Sequence, residues 1–147
     1  MRKIIVGCVA ATLGVSTALA AGAFADGNGA QRSGLSPQSG NNNNQCVAGS
    51  GAGTNGFVII NAPGQPGHAR FVNGEVSLKR GPADSVFSVW IVDSQGNCMP
   101  EGALTTNGVG NGNAHLNDAS LSSGTFYVVL QDHNGHEAFA SAPVAAN

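Results

Sequence analysis

From residue 46 onward the chain alternates short apolar runs with clusters of Gly, Asn, Ser, Asp and Pro. The runs read FVIIN (57–61), HARFV (68–72), EVSLKR (75–80) and SVFSVWIVD (85–93). They continue with GALTT (102–106), AHLN (114–117), TFYVVLQD (125–132) and EAFASAPV (137–144). No window sustains a period of 3.6, and 22 glycines are too many for stable helices. About eight short strands at this spacing predict an all-β sandwich or barrel. The run 85–93 is apolar on both faces, with Phe87, Val89 and Ile91 on one and Val86, Trp90 and Val92 on the other. Such a strand belongs in a central or covered position.

Two turns set a register. Asn73-Gly74 suits a two-residue type I′ hairpin, pairing Phe71 with Val76 and Ala69 with Leu78. His133-Asn134-Gly135-His136 predicts a second hairpin of the same kind, with Leu130 opposite Phe139 and Val129 opposite Ala140. That register also sets Asp132 opposite Glu137, and makes His133 and His136 a directly opposed pair.

The beginning of the chain reads differently. Arg2 and Lys3 precede a long uncharged stretch, and Ala23-Phe24-Ala25 offers small residues for cleavage. This is the layout of a secretory signal peptide over 1–25. Residues 26–45 hold one large aliphatic residue, Leu35, and no aromatic, so a disordered Gly/Asn/Ser-rich linker is expected there, ahead of one domain over 46–147. The leader carries two of the six Lys/Arg and none of the eight Asp/Glu, leaving a formal charge of −4. An acidic, sparsely charged chain argues against nucleic acid and against anionic membranes as partners. Once Cys8 has gone with the leader, Cys46 and Cys98 remain, and two cysteines in an exported chain read as one disulfide. The expected localisation is therefore extracellular, with no stable membrane insertion after cleavage.

Candidate chemistry is sparse. His133 and His136, if directly opposed, reach one Cu²⁺ or Zn²⁺, but a firm site needs a further ligand, for which His115, His68 and Asp118 are the candidates. GAGTNG (51–56) has the spacing of a dinucleotide loop, yet an apolar strand-like run follows it where that loop requires a helix. No G-x-S-x-G, H-E-x-x-H or Walker loop occurs, and nothing selects an acid pair from Glu75, Asp84, Asp93 and Glu101. Trp90, Tyr127 and the Asn/Gly loop with Asn107, Asn111 and Asn113 are the candidate binding surface, offering ring faces and carboxamides.

The stretch LSSGTFYVVLQDHNG, with Leu121, Gly124 and Phe126, resembles the corner that begins a late strand in secreted bacterial immunoglobulin-like and prealbumin-like domains. LTTNGVGNGNAHL (104–116) is similar to a strand-to-strand link of such domains, many of which carry Asp where Asn107 stands. The resemblance implies an antiparallel β-sandwich of about seven to eight strands and no particular activity. The expected function is a secreted, non-catalytic binding or structural module without a cofactor, acting on an unidentified extracellular ligand or protein. An extracellular Cu/Zn-binding protein and a small secreted hydrolase are the alternatives.

Overall fold

A computed structural model describes residues 30–38, 46–61, 72–118, 121 and 124–146. The expected signal peptide and most of HARFV (68–72) lie outside them. The protein is all-β, with no helix among the described residues. The strands are β1 (Gln31–Pro37), β2 (Gly56–Asn61), β3 (Val72–Leu78), β4 (Val86–Val92) and β5 (Cys98–Thr105), followed by β6 (Gly112–Asp118), β7 (Gly124–Gln131), β8 (Glu137–Ser141) and β9 (Val144–Ala146). Eight of them form one antiparallel path, β5-β4-β7-β8-β1-β2-β3-β6, and β9 pairs with β7 off that path.

The path nearly closes on itself. Its two ends, β5 and β6, are consecutive in the chain and joined by a tight turn, so the turn draws the ends together. Further along the seam, the Asn117 N–H donates to Oε2 of Glu101 at 2.8 Å. Glu101 is the extra residue of a bulge in β5, where Val89 pairs with Gly102 but Trp90 with Pro100. The bulge frees a carboxylate to bond across the gap between the two end strands.

The core fills the inside of this sheet. Val58, Ile60, Val76, Leu78, Phe87, Val89, Ile91, Leu104, Leu116, Val128 and Leu130 are all buried within one cluster. Phe87 and Phe139 meet edge to face at 5.9 Å. Leu121 and Phe126, the apolar residues of the LSSGTF corner, are buried there too.

Two expectations are corrected. Residues 31–37, inside the stretch expected to be a linker, form a strand shared by both halves of the sheet: Gln31–Gly34 pair with β2 and Leu35–Pro37 pair with β8. Leu35, the one large aliphatic residue of that stretch, is fully buried. Open strands on both sides supply the ladder bonds that its own sequence does not favour.

The second correction concerns Asn73-Gly74, which is no turn. β3 runs straight through it, with Asn61 opposite Asn73 and Ile60 opposite Gly74. A Cβ on Gly74 would collide with the carbonyl oxygen of Ile59. Gly is there because the neighbouring backbone comes close.

Three other turns share one construction. In Asp93-Ser94-Gln95-Gly96-Asn97, Asn107-Gly108-Val109-Gly110-Asn111 and Asp132-His133-Asn134-Gly135-His136, the fourth residue is a glycine at positive φ. In each, that glycine's N–H bonds back to the first residue's carbonyl, and the first residue's N–H bonds to the fifth carbonyl. The first residue's side-chain oxygen then accepts the N–H groups of the third and fifth residues, at 2.8 to 3.1 Å. An Asx side chain followed three residues later by Gly thus closes three loops by the same bonds.

Desolvation pushes the Asp93 and Asp132 carboxyls up, but their N–H donors, the Asn97 carboxamide for Asp93 and the flanking histidines for Asp132 outweigh it, so both stay below the ordinary carboxylate range. A depressed acid stabilises the fold above its unfolded pKa, and the contribution is lost as pH falls through the folded value. Asp132→Asn keeps the acceptor, as Asn107 does in its own turn. Denaturation measured from pH 7 downward will therefore show a shallower acid loss in Asp132→Asn than in wild type, while Asp132→Ala will lose about 1 kcal/mol at neutral pH. The strand assignment of Asn73-Gly74 has its own check. Asn73→Thr will change stability by no more than about 0.5 kcal/mol, since an interior strand position accepts a β-branched residue. Gly74→Ala will cost about 1–3 kcal/mol through its clash with Ile59. A turn at this position would instead make Asn73→Thr cost about 1–2 kcal/mol.

Candidate functional site

Strand alternation sorts β4, β7 and β8 into two faces. Phe87, Val89 and Ile91 face the core with Phe126, Val128, Leu130 and Phe139. Ser88, Trp90 and Val92 point outward, register-matched to Gln131, Val129 and Tyr127 of β7. The second hairpin holds the expected pairs Leu130–Phe139 and Val129–Ala140. A bulge at Ala138 then breaks the alternation, so Glu137 pairs with Gln131 on the outer face. Without the bulge, Glu137 would oppose Asp132 on the core side. Instead Asp132 bonds to His136 across a three-residue loop.

An outward sheet face is usually wet, yet Val92, Val129 and Ala140 here are fully buried. Residues 46–55 lie across it as a strap. Cys46 is joined to Cys98 at the start of β5, with their Cα atoms 6.3 Å apart. The Tyr127 hydroxyl donates to the Cys46 carbonyl at 2.7 Å, and the Gly49 N–H donates to Ser141 O at 2.9 Å. The Val47 N–H donates to Oε2 of Glu137 at 3.2 Å, and Ser36 and Ser50 share a hydroxyl bond of 2.9 Å. The glycine-rich sequence of the strap follows from its seat. Cβ atoms at Gly49 and Gly53 would strike the carbonyls of Ala140 and Leu35. The Cys46–Cys98 bridge spans a sequence separation of 52, and closing a loop of that length contributes about 4 kcal/mol in the chain-entropy model.

Where the strap begins, it leaves a cavity of about 110 Å³ lined by Cys46, Trp90, Cys98 and Gln131. Nε1 of Trp90 and Oε1 of Glu137 are buried without a hydrogen-bond partner. Glu137 is only 2% exposed. Burial pushes its carboxyl above the ordinary range, and the single Val47 N–H offsets this only in part. Burial, together with the charges of Glu137 and Asp93, likewise raises the Tyr127 phenol. A second, wider cleft of about 480 Å³ lies beside Tyr127, lined by Asp93, Ser94, Gln95, Gly96, Thr125 and Pro143.

Two of the residues picked out in the sequence, Trp90 and Tyr127, thus meet on this face with both cysteines. The Asn107–Asn111 turn is at the opposite end of β5 from Cys98 and takes no part in it. Its carboxamides are engaged in structure: Asn107 closes its own turn, and Oδ1 of Asn111 accepts the Arg80 N–H at 3.3 Å. Asn113 stands exposed on β6, opposite Ser77. Of the described histidines, His133 and His136 share one turn and His115 stands on β6, while the candidate His68 lies outside the described residues. His136 sits 3.7 Å from Asp132, His133 occupies the loop tip, and His115 pairs with Glu75 of β3. Among the described residues no group of three or more His, Cys, Asp or Glu is placed to hold an ion. Gln131 and Glu137 are the members of the face that sequence reading missed, because only the bulge at Ala138 turns Glu137 outward.

A raised acid makes ionisation costly to the fold, so its penalty grows as pH climbs from the ordinary carboxylate range through the raised value. Glu137→Gln removes that term. Chemical denaturation across pH 4 to 8 will therefore show the variant gaining on wild type as pH rises, with the largest difference at the alkaline end.

Comparison with protein-family models, with curated proteins and with solved structures gives no match, so what this face does has to be read from its own geometry.

Proposed function

We propose that the protein is a non-catalytic binding module that works outside the cell, and that its ligand docks on the outer face of β4, β7 and β8 beside the Cys46–Cys98 bridge. One observation carries this reading: the buried, unpartnered Nε1 of Trp90 and Oε1 of Glu137 on a face with an open cavity. Each such atom costs about 1–3 kcal/mol when left unpaired. A fold that keeps two on one face has them ready for a group that arrives from outside. Two bulges adjoin this place, at Trp90 and at Gln131, and bulges re-aim side chains toward functional surfaces.

The groups that meet here are an indole, a phenol, a carboxamide, a carboxylate and a cystine. They offer ring faces and hydrogen bonds, and the sulfurs are oxidised, which supports binding over nucleophilic chemistry. The disulfide fits an extracellular setting. The sharing of β1 between two pairing groups supports the two-layer sandwich of the immunoglobulin-like kind.

Isothermal titration calorimetry against neutral saccharides, alkylammonium salts, carboxylic acids and short peptides tests the proposal. At least one class will bind without turnover, and Trp90→Phe, which keeps a ring but removes the N–H, will weaken it about tenfold, equivalent to ~1.4 kcal/mol. Asn113→Ala, on β6, will leave binding unchanged. Binding indifferent to Trp90, or chemical conversion of the bound compound, would refute it.

A further inference from the structure

Resting on that reading, we infer that the ligand is a neutral polyhydroxylated molecule, a saccharide whose terminal edge enters the cavity beside the disulfide. The hydrogen-bonding character of the face selects among ligand classes. Nε1 of Trp90 can only donate, and an ionised Glu137 can only accept. Gln131, which lines the cavity with Trp90 and pairs with Glu137 across β7 and β8, offers both. A hydroxyl is the small group that accepts from the first, donates to the second and exchanges either way with the third.

The charged alternatives fit less well. An ammonium group donates only, so it satisfies Glu137 and leaves the indole N–H unpaired. A carboxylate or phosphate accepts from the indole, but adds a negative charge beside Glu137 on a face that also carries Asp93. Like charges brought together in a partly desolvated site repel strongly.

Size and shape carry the inference further. A volume of about 110 Å³ is too small for a whole pyranose ring, but takes a hydroxymethyl arm or two adjacent hydroxyls from its edge. The indole of Trp90 and the cystine wall give the ring's C–H face an apolar surface to rest on. Beyond Tyr127, the wider cleft presents Ser94, Gln95 and Thr125, polar and uncharged groups suited to the next sugar along. A linked pair of sugars therefore gains contacts that a single sugar lacks.

The test is a calorimetric and NMR titration of the disulfide-intact protein with four probe sets. These are neutral hexoses and N-acetylhexosamines, their linked disaccharides, ethylammonium and tetramethylammonium chloride, and sodium acetate and phosphate. Neutral sugars will bind, and at least one disaccharide will bind three- to tenfold more tightly than its monosaccharide. The shifted amide resonances will fall in β4, β7 and the strap. Trp90→Phe will lower affinity five- to tenfold, and Glu137→Leu tenfold or more, whereas Glu137→Gln, which keeps an acceptor, will stay within about threefold of wild type. Thermal melting of each variant establishes that it is folded, and Trp90→Phe decides the matter if Glu137→Leu is not. Binding of the ammonium or anionic probes alone, sensitive to Trp90, would overturn the saccharide assignment and leave the binding module standing. Trp90-dependent binding of no probe at all would overturn both.

Discussion

The pairing of β1 with two different strands is the constraint on which the rest of the molecule depends. Among the described residues no other strand bridges β8 and β2, so without Gln31–Pro37 the two halves of the path meet only at the β5–β6 seam. Each would expose a row of unpaired backbone groups, and the core would lose a shared wall. β1 is a poor strand by its own composition, with Gly34 in the middle, Pro37 at the end and a single aliphatic side chain in Leu35. What holds it is the demand of two neighbours for a partner. The strap depends on it in turn, because the Asn55 N–H bonds to the Leu35 carbonyl and Ser50 to Ser36.

Legibility in the sequence followed local chemistry. Where apolar alternation was strong, as in 85–93 and 125–132, strands were readable to within a residue or so, and two pairs of the second hairpin held because the bulge at Ala138 offsets the extra loop residue. The same rule failed at Asn73-Gly74, because a dipeptide that favours a turn is also one that a crowded strand tolerates when a neighbouring carbonyl presses close. The three Asx-x-x-Gly turns were legible in principle, since the spacing recurs at 93–96, 107–110 and 132–135. Reading Asn134-Gly135 as a two-residue loop concealed that recurrence. β1 was not legible at all, as its reason for ordering lies in residues more than twenty positions away.

The candidate site shows the same division. Trp90, Tyr127 and both cysteines were readable as residues that matter, because each is rare in this chain. That they converge on one face is a property of the register and of the strap. Glu137 gains its position from one inserted residue, Ala138, and a bulge of that kind has no local signature in EAFAS. The outcome is a surface where local rules are broken together: two ladders slip, two polar atoms are buried without partners, and a carboxyl is held above its ordinary range. Proteins concentrate such costs where they act, and recover them in the remainder of the core.

The order of pairing along the chain carries a last consequence. β1, the first strand described, is held against β8, close to the other end, with Leu35 opposite Ser141. Closure therefore waits for nearly the whole polypeptide, and contacts so distant in sequence form slowly. In a chain that emerges N-terminus first, β1 lacks its β8 partner until the final strands arrive. The strap residues that bond to β1 gain a fixed seat only at that point, so order on this face comes last.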